Sequence, residues 1–181
     1  MSRIAIPTLD TAPAASKPLL DAVQKQLGVA PNLFRLISLS PNALQGFLAN
    51  NSALGKTLDV KTRERIALAV AQVNGCDYCL SAHSYLGLNL AKLDQDELTL
   101  NRKGSSNDAK ATVAVGFARK VAEARGKVSA ADVEAVRAAG YSDAQVVDII
   151  AVVAENTFTN LLNIAVGTEI DFPVVSAADL A

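Results

Sequence analysis

The sequence predicts an all-α domain, and three observations carry that expectation. Half of the 181 residues are hydrophobic, yet 4% are aromatic and none is Trp, so the core must be built from Ala, Val, Leu and Ile. Such small aliphatic side chains suit closely packed helices. Apolar residues recur at helical spacing between Gly, Pro, Ser and Asp punctuation, and no stretch combines clean alternation with hairpin turns. The length fits one compact domain, or two halves folded on each other.

The elements follow in order. Residues 1–15 carry Pro7 and Pro13 without a sustained helical period, which predicts an extended arm. Leu19, Leu20, Val23 and Leu27 then define a first helix that Gly28 stops, with Pro31 opening the next. Ser40-Pro41 starts another through Leu44, Phe47 and Leu48. A further helix begins near Val60 and ends at Asn74-Gly75, a pair suited to a left-handed terminus. The next opens at Cys76 and is expected to close at Gly87. Asp94 to Glu97 has capping-box spacing, and the polar stretch 101–108 is the predicted loop where two halves meet. A helix from Ala109 to about Arg125, one capped by Ser129 and ended by Gly140, and a long pattern capped by Ser142 complete the domain at 16–173. Residues 174–181 form a tail. The long last pattern reads as one helix or two.

Residues 65–87 laid over 145–167 give a weak internal two-fold repeat that aligns Gly87 with Gly167. In it Cys76, Cys79 and His83 face Asn156, Thr159 and Asn163, so the reactive side chains occur in one copy. Phe158 reads as an aromatic core residue, and Asn160 and Asn163 as structural amides that line a site if the second copy packs on the first. The charge-rich runs 61–65 and 119–125 read as solvated helix faces.

Charge and hydropathy exclude several functions. Lys plus Arg is 17 against 18 for Asp plus Glu, a net charge of −1, so no positive field holds nucleic acid or an acidic membrane surface. Mean hydropathy is +0.24 without a long uncharged apolar run, which predicts internal packing and a subunit interface rather than a membrane span. The start of the chain shows no signal-peptide core, so a cytoplasmic location is expected, and Asn50-Asn51-Ser52 is an accidental glycosylation match. Two cysteines in a reducing compartment point to redox or metal chemistry rather than a staple.

Both cysteines and the single histidine fall within Cys76-Asp77-Tyr78-Cys79-Leu80-Ser81-Ala82-His83. A Cys-x-x-Cys pair entering a helix places its thiols near the positive end of the dipole, where a thiolate is stabilised. His83 lies one turn beyond Cys79 on the same face and can take or share its proton. The dipole alone favours Cys76 as the acidic thiol, whereas the His83 spacing favours Cys79. If the chain reverses at Asn74-Gly75, Glu64 lies about 15 Å back and His83 about 11 Å beyond, within side-chain or one-water reach of each other. Glu64 can then fix the imidazole and keep it basic, and the Tyr78 hydroxyl can extend the relay. A zinc site needs a fourth ligand, and three residues along one helix face suit a tetrahedron poorly.

Glu64, Cys76, Tyr78, Cys79, His83 and Gly87 in this spacing resemble the alkylhydroperoxidase AhpD core of the carboxymuconolactone decarboxylase-like superfamily. The likeness runs from Pro31-Asn32 to Phe158, Asn160 and Asn163, covering roughly residues 20–173. It implies an all-helical trimer or hexamer and a thiol-dependent peroxidase in which Cys79 attacks a hydroperoxide and Cys76 resolves the product. Glu64 and His83 would be the proton relay, and a lipoyl group or other dithiol the electron donor, with no bound cofactor or metal. Tyr78 stands where the best-studied AhpD enzymes carry a histidine, as in the peroxidase-related branch. Two other readings are a thiol-disulfide oxidoreductase serving a partner protein, with Cys76 attacking, and a non-catalytic or decarboxylase-like helical oligomer.

Overall fold

The computed structural model describes residues 2–180, and among them every regular element is helical. The α-helices are α1 (Lys17–Leu27), α2 (Asn32–Ile37), α3 (Pro41–Leu54), α4 (Val60–Asn74), α5 (Asp77–Asn89), α6 (Gln95–Arg102), α7 (Ala109–Glu123), α8 (Ala130–Ala138) and α9 (Asp143–Val166). Single 3-10 turns lie at Ala14–Ser16 and Ala177–Leu180.

Helix α4 is the axis of the fold. Its run Ile66–Ala71 is buried on every side, and α5, α6, α7 and α9 all pack against it. A helix that is apolar all round must be enclosed by others. The Asp59 side chain starts it by accepting from Thr62 N at 3.0 Å. Its end fixes the site. Gly75 adopts φ +68°, its N–H reaches Gln72 O and the Cys76 N–H reaches Ala71 O, a Schellman closure that turns the chain straight into α5. The reversal expected at Asn74-Gly75 is therefore present.

Helix α9 is one unbroken helix of 24 residues. Ser142 and Gln145 cap it reciprocally. Val146, Ile149, Val152 and Val153 join the core with Ile66, Val70 and Phe117, while Val147, Ile150, Leu161 and Ile164 face outward. By length and composition α9 could cross a membrane, but its buried face belongs to this core. The sequence overlay at 65–87 and 145–167 does not extend to the helix break, because α9 runs straight where the first copy turns at Gly75.

Several expectations are corrected. Gly87 does not end α5: it is buried inside the helix, and a Cβ there would sit 2.7 Å from Leu98 Cδ2, so it is the contact that admits α6. Asp94 caps α6 through Glu97 N, but the Glu97 carboxylate does not return the bond. It accepts instead from Arg65 Nε (2.7 Å), Asn101 Nδ2, Ser106 Oγ and Asn107 N, pinning the loop after α6. Arg65 is thus not a solvated charge. Phe158 is 43% exposed rather than core, although its ring tilts against Phe47.

The terminal segments wrap the bundle. Residues 2–13 form no helix, and the Arg3 guanidinium donates to Ile164 O and Ala165 O, capping α9 with a cation. After α9 the chain crosses α5: Val175 N donates to Ser81 Oγ, Ala177 N to Asp77 Oδ1, and Phe172 stacks edge-on against Tyr78. Of the expected arm and tail, Met1 and Ala181 lie outside the described residues.

Candidate active site

Cys76 is the N-cap of α5, and its Sγ accepts from Cys79 N at 3.3 Å. The motif thus folds its two sulfurs toward each other across the first turn, as reduced thiols. They are 1% and 2% exposed. Cys76 is therefore not the accessible sulfur that its place at the helix entrance suggests, because the α4 closure and the segment after α9 enclose that entrance.

The two thiols are driven apart in acidity. Cys79 falls to about 7 because the Cys76 thiol hydrogen-bonds to it; burial opposes this, and Asn163, the charge on His83 and Asn160 assist. Cys76 is pushed up by its hydrogen bond to Cys79, by burial and by the Cys79 charge. One proton is shared with Cys79 as the anionic partner. The lower pKa lies on Cys79, with the Cys76 hydrogen bond as its leading cause and His83 a lesser one.

Asn163 Nδ2 donates to Cys79 Sγ at 3.3 Å. Sequence reasoning placed Asn163 among structural amides. Its signal lay in the repeat, whose overlay set it opposite His83 rather than opposite the thiol that it meets. Asn160 Oδ1 accepts from Asn74 Nδ2 at 2.8 Å, tying α9 to the turn that precedes Cys76. The second helix of the overlay thus supplies polar amides to the reactive first.

His83 and Glu64 meet directly, Nδ1 to Oε2 at 2.8 Å, without an intervening water. Burial disfavours the imidazolium, but the Glu64 charge and hydrogen bond outweigh it, and the His83 pKa is raised. The carboxylate fixes the ring and leaves Nε2 free to work. Tyr78 does not join this pair. Its hydroxyl donates to Asp171 Oδ1 at 2.9 Å and accepts from Leu33 N at 3.0 Å, and burial raises its pKa further from any proton-transfer range. It anchors α5 to α2 and to the segment after α9.

A cavity of about 320 Å³ opens beside the pair. Glu64, His83, Asn156 and Thr159 line it, neither cysteine does, and its walls are apolar, including Phe34, Phe47, Leu48, Leu86 and Phe172. Among the described residues, no group of three or more His, Cys, Asp or Glu side chains could hold a metal ion.

Residues 41–124 match the carboxymuconolactone decarboxylase family, a span covering α3 to α7 and containing Glu64, both cysteines and His83. The structure is similar to an alkylhydroperoxidase AhpD core, peroxidase-related protein of Ralstonia eutropha JMP134. TM-score is 0.83 and identity 28%, over 94% of this chain and 92% of that one. A peroxidase-related protein of Silicibacter sp. TM1040 is similar at 0.81, also 28% identical, over 93% and 91%. The debrominase Bmp8, solved with 2,3,4-tribromopyrrole, shares the fold at 0.75 and 18% identity, over 93% and 94%. A protein of Haemophilus influenzae is 50% identical over 46 residues, which is 24% of this chain and 41% of that relative's length. The segment that carries Glu64, both cysteines and His83 thus matches a carboxymuconolactone decarboxylase family model, and the helix order around it is similar to that of a protein with an alkylhydroperoxidase AhpD core.

Proposed function

We propose that the protein is a thiol-dependent peroxidase. The observation that carries this reading is the 2.8 Å His83–Glu64 pair, one helical turn beyond a cysteine whose pKa lies at about 7. The Cys79 thiolate attacks the hydroperoxide: an S–O bond forms, the O–O bond breaks, and the leaving alkoxide takes a proton from the His83 imidazolium that Glu64 sustains. The Cys76 thiol then condenses with the Cys79 sulfenic acid, releasing water and closing the disulfide. An external dithiol, a lipoyl group or a similar donor, reopens it by exchange and leaves as its own disulfide. The balance is hydroperoxide plus dithiol to alcohol, water and disulfide, with no resident cofactor. The peroxidase-related names of two relatives that share the fold at 28% identity support the same reading.

The near-complete burial of both sulfurs favours a small-molecule arm as reductant over a partner protein's surface thiol. The apolar outer face of α9, with Val147, Ile150, Leu161 and Ile164, supports assembly of copies of this chain, as a trimer or hexamer in this reading.

The test is free-thiol titration with intact mass after one equivalent of hydroperoxide, on wild type, Cys76→Ser and Cys79→Ser. Loss of two protons in wild type, with a sulfenic acid trapped in Cys76→Ser and none in Cys79→Ser, is the expected result. Thiols untouched by peroxide overturn the reading. A disulfide formed solely with a disulfide donor replaces it with thiol exchange.

A further inference from the structure

Besides His83, three charged side chains line the cavity: Glu64, Glu155 and Arg63. Two of them are engaged. Glu64 binds His83, and the Glu155 carboxylate accepts from Asn50 Nδ2 and from Asn51 Nδ2 at 2.9 Å. Arg63 is not. Its Nε is buried without a hydrogen-bond partner, and among the described residues the guanidinium makes no ion pair. Arg63 Nη1 lies over the last turn of α3, 3.6 Å from where a Gly55 side chain would begin, yet donates to none of the carbonyls there. Its neighbour Arg65, two residues along α4, shows what the fold does with a guanidinium that it uses structurally: it pairs it with Glu97 at 2.7 Å.

A buried, unsatisfied guanidinium nitrogen is costly, and a planar fork of donors in an apolar chamber matches a carboxylate. Apart from His83 and a few uncharged polar groups, among them Asn156 and Thr159, the rest of the chamber is apolar. Beyond the walls already named, Leu27, Val29 and Leu90 line it while remaining well exposed, so its apolar surface continues to solvent. The volume, about 320 Å³, is within the range of small-molecule sites and far exceeds what a hydrogen peroxide molecule fills.

We infer that this cavity binds a monocarboxylic acid with an apolar chain, its carboxylate held by Arg63 and its chain passing the His83–Glu64 pair. The identification of that acid as the hydroperoxide substrate, an acyl-chain hydroperoxide, rests on the peroxidase reading; occupation of the cavity does not.

Isothermal titration of the reduced protein with decanoate and with decanol, without peroxide, tests the site separately from the chemistry. Wild type is expected to bind decanoate at least tenfold more tightly than decanol. Arg63→Gln should abolish that preference by weakening decanoate about tenfold and leaving decanol within about twofold, and Arg63→Lys should fall between. The retained decanol affinity shows that the variant is folded with its cavity intact. Equal affinity for acid and alcohol in wild type, binding of neither, or an Arg63→Gln variant that keeps the preference overturns the inference. A second arm compares kcat/KM for a fatty-acid hydroperoxide and its methyl ester. Preferential binding of decanoate with neither hydroperoxide reduced leaves the acid site standing and removes the peroxidase reading.

Discussion

Replacing Asn163 with leucine removes the amide that α9 brings to the Cys79 sulfur while keeping side-chain bulk. A hydrogen bond to a charged group contributes about 1.5–3 kcal/mol, and the long 3.3 Å N···S separation puts this one at the lower end. At about 1.4 kcal/mol per pH unit, the Cys79 midpoint moves from about 7 to about 8. At pH 7 the thiolate fraction then drops from about one half to about one tenth. Each thiolate becomes roughly threefold more nucleophilic, for a Brønsted slope of about 0.4–0.5. The pH profile of iodoacetamide alkylation should therefore show a later midpoint, about half the rate at pH 7, and a plateau about threefold higher at alkaline pH. The assay reads Cys79, since Cys76 is held protonated to much higher pH. Folding should change little, because Asn163 Oδ1 is buried without a partner and leucine removes that unsatisfied acceptor together with the donor. A midpoint that stays at about 7 with an unchanged plateau refutes the idea that the α9 amide stabilises the thiolate.

Three further outcomes are expected. Glu97→Ala should cost about 3 kcal/mol in urea unfolding, because it strips Arg65 and the loop after α6 of their shared acceptor. Burial opposes ionisation of Glu97, but its hydrogen bonds from Asn107, Ser106 and Asn101 and the Arg65 charge depress its pKa. Its contribution is therefore full above the unfolded value, near about 4.3, and is lost as pH falls through the lower folded value, so the variant should show a shallower acid limb. Tyr78→Phe should lower stability by about 1–2 kcal/mol through loss of the Asp171 and Leu33 contacts, while the Cys79 alkylation midpoint stays in place; a moved midpoint would return Tyr78 to the relay. Gly87→Ala sets a close contact with Leu98 Cδ2, costing about 1–3 kcal/mol, against a helix-propensity gain of about 1 kcal/mol. A net loss of up to about 2 kcal/mol in thermal or urea unfolding is expected.

The parts of the site carried by local rules were legible in the chain. Asn74-Gly75 announced a left-handed terminus, and that single turn converts Glu64 and His83 from remote positions into a 2.8 Å pair. Helical spacing likewise placed His83 one turn from Cys79. The rest depended on packing between distant segments. Glycine carries the same letter whether it ends a helix, as Gly75 does, or admits a neighbouring side chain inside one, as Gly87 does. Arg63 and Arg65 sit in what reads as a solvated charge run, and their burial is set by α3 and α6, which no local pattern records. Asn163 was visible as an amide but not as a thiol's donor, because its role depends on where α9 lies across α5.

Asp171 binds Asn32 N at 2.7 Å and the Tyr78 hydroxyl at 2.9 Å, across sequence separations of 139 and 93 residues. During synthesis the cysteine helix therefore leaves the ribosome well before the carboxylate that locks it to α2. For that interval the thiols lack the cover that the later segment gives them. A nascent chain stalled before residue 169 should react faster with a bulky maleimide at Cys76 and Cys79 than the completed protein does, so the time order of translation sets when the cysteine pair becomes shielded.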